Sequence, residues 1–276
     1  MKIITDSSCD LPLNILTNYN IDVVPLQITF EEGDTYLDGL NLSLQEFRER
    51  LYKGKTLPRT SAPNPQTILK AFEKALRENE EVIYVGLSSK LSATYQTASM
   101  VRDMIGSGRI RLLDSLTASI GVGLLAVKAA QLAKSGLSLE GVMNKLTRWR
   151  DDLKTFCALD TLENVIKGGR IDPVQGLLGS MLNIKPTIRA IEGKIHVVAR
   201  IRGRRKSLDN LIKIMIENSF NPSENMIGIA HMDCLGDVQY LIHEIEIAFG
   251  KVNTIISEMG SVMGVYGGRG ALVLAF

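Results

Sequence analysis

Tryptophan is nearly missing from this 276-residue sequence, which has one, and aromatic residues make up only 5%. That leaves little with which to build a stacking platform for single-stranded nucleic acid. Cysteine is scarce as well. Cys9, Cys157 and Cys234 lie far apart and form no CxxC pair, which argues against a disulfide framework and a cysteine-rich zinc site. Histidine occurs three times, as His196, His231 and His243, with no HExxH and no pair at metal-ligand spacing. No metal site is expected. Charge of one sign is also lacking: 32 Lys+Arg stand against 30 Asp+Glu, a formal net charge of +2. A protein basic throughout, of the kind that coats nucleic acid, is excluded, although a local basic patch is not.

Long hydrophobic runs are missing too. The most apolar stretch, residues 116–127, contains Thr117 and Ser119 and closes at Lys128. A membrane span needs about 20 residues. The opening MKIITDSSCD reaches Asp6, Ser7 and Ser8 at once, so no signal-peptide core is expected, and the chain reads as cytoplasmic. The phosphate loop GxxxxGK[ST], a GxGxxG after the first strand and the GxSxG elbow are all absent. This disfavours nucleotide hydrolysis and NAD chemistry and leaves a Ser–His–acid triad without local support. No cofactor and no catalytic residue is assigned.

What is present is 45% hydrophobic and 22% charged, the balance of a globular protein with a sizeable core. Short β-branched runs alternate with longer helical ones. Residues 2–5, 21–30 (broken by Pro25), 81–87 and 109–113 read as strands. Residues 42–51, with Ser43 as N-cap, and 65–77, 92–105 and 118–135 read as helices. Such alternation predicts βαβ units and a parallel sheet. Further on, 154–159, 226–231 and 252–257 read as strands, 193–202 as a turn then a strand, and 208–218 and 238–249 as helices, while 183–191, which contains Pro186, is assigned to neither. The expected architecture is α/β in two closely packed domains. An N-terminal parallel-sheet α/β domain spans residues 1–151, and a C-terminal α+β domain spans 152–276.

Hydroxyls gather where these strands end, at Ser7 and Ser8, at Ser88, Ser89, Ser92 and Thr94, and at Ser115, Thr117 and Ser119. A fourth cluster, Thr60 and Ser61, precedes Pro63 and Pro65 and the helix they introduce. Ligands of open parallel sheets bind beyond the carboxyl ends of strands, where helix N-termini favour anions. Each hydroxyl can equally serve only as a helix cap. Two basic features stand out. Lys167-Gly168-Gly169-Arg170 sets a fixed cation after a flexible pair. Arg200, Arg202, Arg204, Arg205 and Lys206 form the densest cationic run, and along a strand the first three would share a face. Gly121 and Gly123 read as close-packing positions inside a helix. Ten methionines, among them Met181, Met259 and Met263, join Leu177, Leu178, Leu182, Val262 and Val265 as material for either core or an adaptable pocket. A buried acyl chain would gain about 0.8 kcal/mol per CH₂. That is roughly 12 kcal/mol gross for about 15 methylenes before the costs of association.

The segments IITDSSCDLP (3–12), TSAPNP (60–65), GLSSKLSATYQTA (86–98), LLDSLTASIGVGLL (112–125), LENVIKGGRI (162–171), LLGSMLNIKPTI (177–188) and VVARIRGRRKSL (197–208) occur in this order. As a set they resemble the DegV family of fatty-acid-binding proteins. The resemblance implies two α/β domains with one long-chain fatty acid buried between them. It places the carboxylate at Thr60, Ser61 and Ser92, beside Ala93, where the family commonly has Gly. It sets Arg170 and Arg202 at the pocket mouth or partner-facing surface. It also implies a separate ATP-dependent fatty acid kinase, to which the bound acid is offered for acyl-phosphate formation. Against the family's GTHxGPG pattern, this chain has Tyr266 at the His position and Arg269 at the Pro position. The change bears on acyl-phosphate handling more than on fatty-acid binding. The expected protein is thus a lipid carrier rather than an enzyme. A serine-dependent acyl hydrolase or transferase at Ser92, or a regulatory module docking through its basic run, stands as the alternative.

Overall fold

The fold comes from a computed structural model that describes residues 1–79, 81–172 and 183–276. Strand β1 (Lys2–Asp6) leads through a single 3-10 turn at Ser7–Cys9 to α1 (Leu13–Tyr19) and β2 (Ile21–Val24). There follow β3 (Gln27–Thr29), β4 (Thr35–Leu37), α2 (Leu44–Lys53), β5 (Arg59–Ser61) and α3 (Pro65–Glu78). Next come β6 (Val82–Gly86), α4 (Thr94–Ile105), β7 (Ile110–Asp114), α5 (Ile120–Ala133) and α6 (Leu139–Asp152). The later part holds β8 (Thr155–Ala158), α7 (Glu163–Lys167), β9 (Ile184–Ile191), β10 (Lys194–Arg202) and α8 (Arg204–Glu217). It ends with β11 (Ile227–His231), α9 (Leu235–Phe249), β12 (Thr254–Glu258), α10 (Ser261–Gly267) and β13 (Leu272–Ala275).

The first sheet has the order β2-β1-β6-β7 and is parallel throughout, with Ile3 opposite Ile21 and Ile83. Every residue of β1 and β6 is buried, because βαβ crossovers cover both faces of a parallel sheet. On one face Phe72 of α3 packs edge-on against Tyr84, with ring centroids 5.8 Å apart. Pro25 ends β2, and the chain then enters a small antiparallel sheet, β4-β3-β5. The second large sheet is mixed and six-stranded, in the order β10-β9-β8-β13-β11-β12. A parallel-sheet domain and a second sheet domain therefore share the molecule, as the alternating pattern predicts. The boundary expected at 151/152 falls in the last turn of α6.

Helix α5 joins the two halves. All residues from Ile120 to Val127 are buried, the mark of a helix enclosed on every side. The glycines at 121 and 123 do pack closely. A Cβ on Gly121 would overlap Thr155 Oγ1, and one on Gly123 would lie 2.6 Å from the Cys9 carbonyl oxygen. The second sheet answers in kind at Gly228, where a Cβ would lie 2.5 Å from Ile120 Cγ1. The helix thus packs closely against elements of both halves.

One expectation fails here. Arg204 does not continue the arginine face of a strand. Gly203, at φ +93°, ends β10, and Arg204 opens α8. The fixed hand of L-residues makes glycine the natural residue for such a turn. Residues 177–182, including Leu177, Leu178, Met181 and Leu182, lie outside the described residues.

Candidate ligand-binding site

Between the two large sheets lies a cavity lined mostly by apolar side chains, as small-molecule sites usually are. Leu26, Leu87 and Leu91 from the first part and Leu159, Ile188 and Ile195 from the second are among its apolar walls. Met259, Val262 and Met263, from the C-terminal segment, line it as well. The thiol of Cys157 also borders it, and burial pushes that thiol up to about 12, so it is not a thiolate nucleophile at neutral pH.

Thr60, Tyr266, Arg170 and Ser92 lie close together on one part of this wall, and Ser119, Thr155 and Arg189 line it elsewhere. Strand β5 alternates, so Thr60 faces the cavity while Ser61 turns outward and donates to Gln27 Oε1 at 3.1 Å. Thr60 Oγ1 and Tyr266 Oη lie 2.5 Å apart. The Arg170 guanidinium sits 4.7 Å from the centroid of the Tyr266 ring. Its Nε donates to the Leu91 carbonyl at 3.2 Å, and one terminal nitrogen donates to the Gly168 carbonyl at 2.6 Å. One residue beyond Leu91, Ser92 lines the cavity, and its Oγ accepts from Thr94 N at 3.2 Å and lies 2.8 Å from Thr94 Oγ1. Ser92 Oγ therefore takes up the first amide of α4, as the helix-end reading expects, while the residue also borders the cavity.

Local sequence explains these placements. Helix α7 stops after Lys167, and Gly169 takes φ +71°, which turns the chain so that Arg170 points back across the cavity. Gly168 is needed for a different reason. A Cβ there would lie 2.5 Å from Tyr266 Cε1 and 2.6 Å from Cδ1, so the ring packs flat against bare backbone. The KGGR segment supplies both the cation and the space for the ring beneath it.

Tyr266 rides on α10, whose start is held by two buried carboxylates. Asp10 accepts from Gly260 N at 2.8 Å and from Ser119 Oγ, and Asp38 accepts from Ser261 N at 3.0 Å. Burial pushes both acids above the usual carboxylate range, Asp10 strongly, and the nearby Asp38 charge adds to the rise of Asp10. Asp6 is raised by burial too, although Ser8, Tyr84 and Leu87 all donate to it. The sequence reading named Asp6 but attached no role to Asp10 or Asp38. Short helix α10, with Gly264 and Gly267 inside it, carries too weak a helical pattern to be found that way.

The remaining expected site residues lie elsewhere. Ala93 is exposed and outside the cavity lining. Arg202 is exposed at the end of β10, also outside the lining. Among the described lining residues there is no histidine or lysine to activate Ser92 as a nucleophile. No group of three or more His, Cys, Asp or Glu that could hold a metal occurs among the described residues. No helix among them is long and apolar enough to cross a membrane.

Comparison with known proteins agrees with this architecture. The family model DegV, described as an uncharacterised protein family, matches residues 1–276. The DegV domain-containing protein TTE1491 of Caldanaerobacter subterraneus subsp. tengcongensis is 32% identical, over 100% of this chain and 98% of that protein. A DegV family protein from Thermus thermophilus, reported for fatty acid binding, has a TM-score of 0.90 and 30% identity, covering 100% of this chain and 98% of its own. A DegV lipid binding protein from Thermotoga maritima gives a TM-score of 0.90 at 26% identity, covering 99% of this chain and 96% of its own. With a match along its whole length, the chain belongs to the DegV family.

Proposed function

We propose that this protein binds one long-chain fatty acid in the cavity between its two sheets. The carboxylate lies at Thr60, Ser92, Tyr266 and Arg170, and the acyl chain runs along the apolar walls. One observation carries the reading: a cavity lined mostly by apolar side chains, with the Thr60 and Tyr266 hydroxyls and the Arg170 guanidinium brought together on one part of its wall. An acyl chain of about 15 methylenes would gain roughly 12 kcal/mol on burial, and a carboxylate accepts from two or three hydroxyls and an arginine without any acid–base chemistry. Thr60 and Tyr266 satisfy each other until the ligand's carboxylate accepts hydrogen bonds from their hydroxyls. The relatives from Thermus thermophilus and Thermotoga maritima, reported as fatty-acid- and lipid-binding proteins, support this reading. So does the ordered set of segments along the sequence. We take residues 1–151 and 152–276 as the two domains that hold the ligand.

Carrying, rather than chemistry, is the role we assign, and a separate ATP-dependent fatty acid kinase is the proposed recipient, facing the surface of Arg202. Three free cysteines suit the reducing cytoplasm, where we place the protein. Oleic acid and oleyl alcohol, titrated in parallel, test the head-group assignment. The acid is expected to bind and the alcohol to bind at least tenfold more weakly. Equal affinity would overturn it.

A further inference from the structure

Strands β9 and β10 form a hairpin that is one wall of the cavity, through Ile188, Ala190 and Ile195. Its tip turns at Glu192 and Gly193, both left-handed at φ +49° and +82°. The tip rests on the loops that follow β6 and β7 in the other half of the chain. Ser88 Oγ donates to the Gly193 carbonyl at 2.8 Å, a buried bond between residues 105 positions apart. A Cβ on Gly193 would lie 2.6 Å from Ser88 Oγ, 3.0 Å from Lys90 Cγ and 3.2 Å from Leu116 Cδ2. Only glycine permits this approach.

Ser88 is the node of the contact. Its backbone N–H donates to the Thr117 carbonyl at 3.0 Å, and its Oγ accepts from Lys90 N at 3.2 Å. Beneath the tip, Leu116 is held at φ +52°, a conformation that a leucine keeps only when its surroundings impose it. Such held backbone gathers at clamps and switch regions. The same β6–α4 loop carries Leu91 and Ser92 into the cavity.

We propose that the Ser88–Gly193 contact is the latch of the cavity, and that parting it is the step that admits and releases the ligand. The proposal rests on the fatty-acid reading above. Strands β8 and β13 and helix α10, which form other walls, are built into the cores of the two halves, so moving them exposes buried apolar surface. Parting the hairpin tip breaks one buried hydrogen bond and a small contact, while the antiparallel pairing of Ile191 with Lys194 stays intact. The cavity then widens between Ala190 and Ile195 on the hairpin, which lie beyond the pairing of β9 with β8, and Leu91 and Ser92 on the loop.

The test is stopped-flow exchange of the fluorescent polyene cis-parinaric acid against excess oleate, on the full chain. In Ser88→Ala both association and dissociation should quicken about tenfold, the loss expected for one buried hydrogen bond, with Kd shifted less than threefold. Gly193→Ala should also quicken exchange, since its Cβ displaces the tip. The two effects should not multiply in the double variant, because Ser88→Ala removes the Oγ that the new Cβ meets. Amide hydrogen exchange at residues 192–195 should accelerate in Ser88→Ala. Exchange of ligand within twofold of wild type in both single variants overturns the latch. So does faster dissociation alone, matched by lost affinity, which would make Ser88 a ligand contact. If wild type binds no parinaric acid, the fatty-acid reading fails instead. Amide protection then decides the latch: its loss at the tip supports it, and unchanged protection overturns it.

Discussion

Gly168→Ala tests the head-group end of the cavity with one methyl group. Gly168 has φ −74°, a conformation open to any residue, so the substitution adds no backbone strain. The new Cβ would lie 2.5 and 2.6 Å from two carbons of the Tyr266 ring and 3.1 Å from the Asn164 carbonyl oxygen. The ring is not free to yield. Its hydroxyl is tied to Thr60 at 2.5 Å, and the Arg170 guanidinium lies against its face. Overpacking of this kind costs about 1–3 kcal/mol. If the ring swings aside, the Thr60 hydrogen bond is lost, about 0.5–1.5 kcal/mol, along with the arginine–ring contact, about 0.5–1 kcal/mol. Together these predict a roughly tenfold or greater loss of fatty-acid affinity, since Thr60, Tyr266 and Arg170 are all displaced at once. Stability should fall modestly, by about 2–4 °C in Tm for each kcal/mol not absorbed by the ring. Titration of oleate by fluorescence displacement, with a thermal melt of the same sample, gives both numbers. Affinity within twofold of wild type and an unchanged melt would refute the claim that bare backbone at 168 fixes this ring.

Tyr266→Phe and Thr60→Val should each weaken fatty-acid binding by about three- to tenfold, since each leaves a polar partner unpaired. The double variant should lose less than the product of the two, which a double-mutant cycle reads directly. Asp10→Asn concerns pH. Asp10 holds its proton more tightly folded than unfolded, so its stabilising effect is full below the unfolded value of about 3.9 and is lost as pH rises through the raised folded value. Asn keeps an acceptor for Gly260 N, so urea unfolding between about pH 5 and pH 8 should show a flatter decline than wild type, and a slope equal to wild type would count against the burial argument. Arg202→Glu, on an exposed residue outside the cavity, should leave oleate affinity within twofold yet lower phosphorylation of the bound acid by a fatty acid kinase. Unaltered phosphorylation would remove Arg202 from the partner surface.

How far the sequence reveals this fold depends on how local the cause is. Strand β6 is legible because burial on both faces leaves an apolar run from Val82 to Val85, and β1 through its β-branched Ile3, Ile4 and Thr5. Helix α3 is legible because Asn64 caps it, with a side chain that accepts from Gln66 N, and Pro65 opens it. Thr60, Ser92 and Arg170 could be singled out because hydroxyls at strand ends and a cation after paired glycines carry chemical meaning on their own. The role of Gly168 could not, because its reason lies in a ring almost 100 positions away in the chain. Nor could Asp10 and Asp38, whose partners are the first amides of α10. Ser61 shows the limit of motif reading. It is adjacent to Thr60, yet strand alternation turns it away from the cavity. Arg204 shows another, since a single left-handed glycine converts a strand face into a helix start.

The most direct measurement is native mass spectrometry of the purified full chain, followed by solvent extraction and identification of what it releases. We expect one fatty acid per chain, or stoichiometric uptake of added oleate by protein that purifies empty. A chain that carries no lipid and takes up neither oleate nor palmitate would contradict the central claim that this cavity is a fatty-acid site.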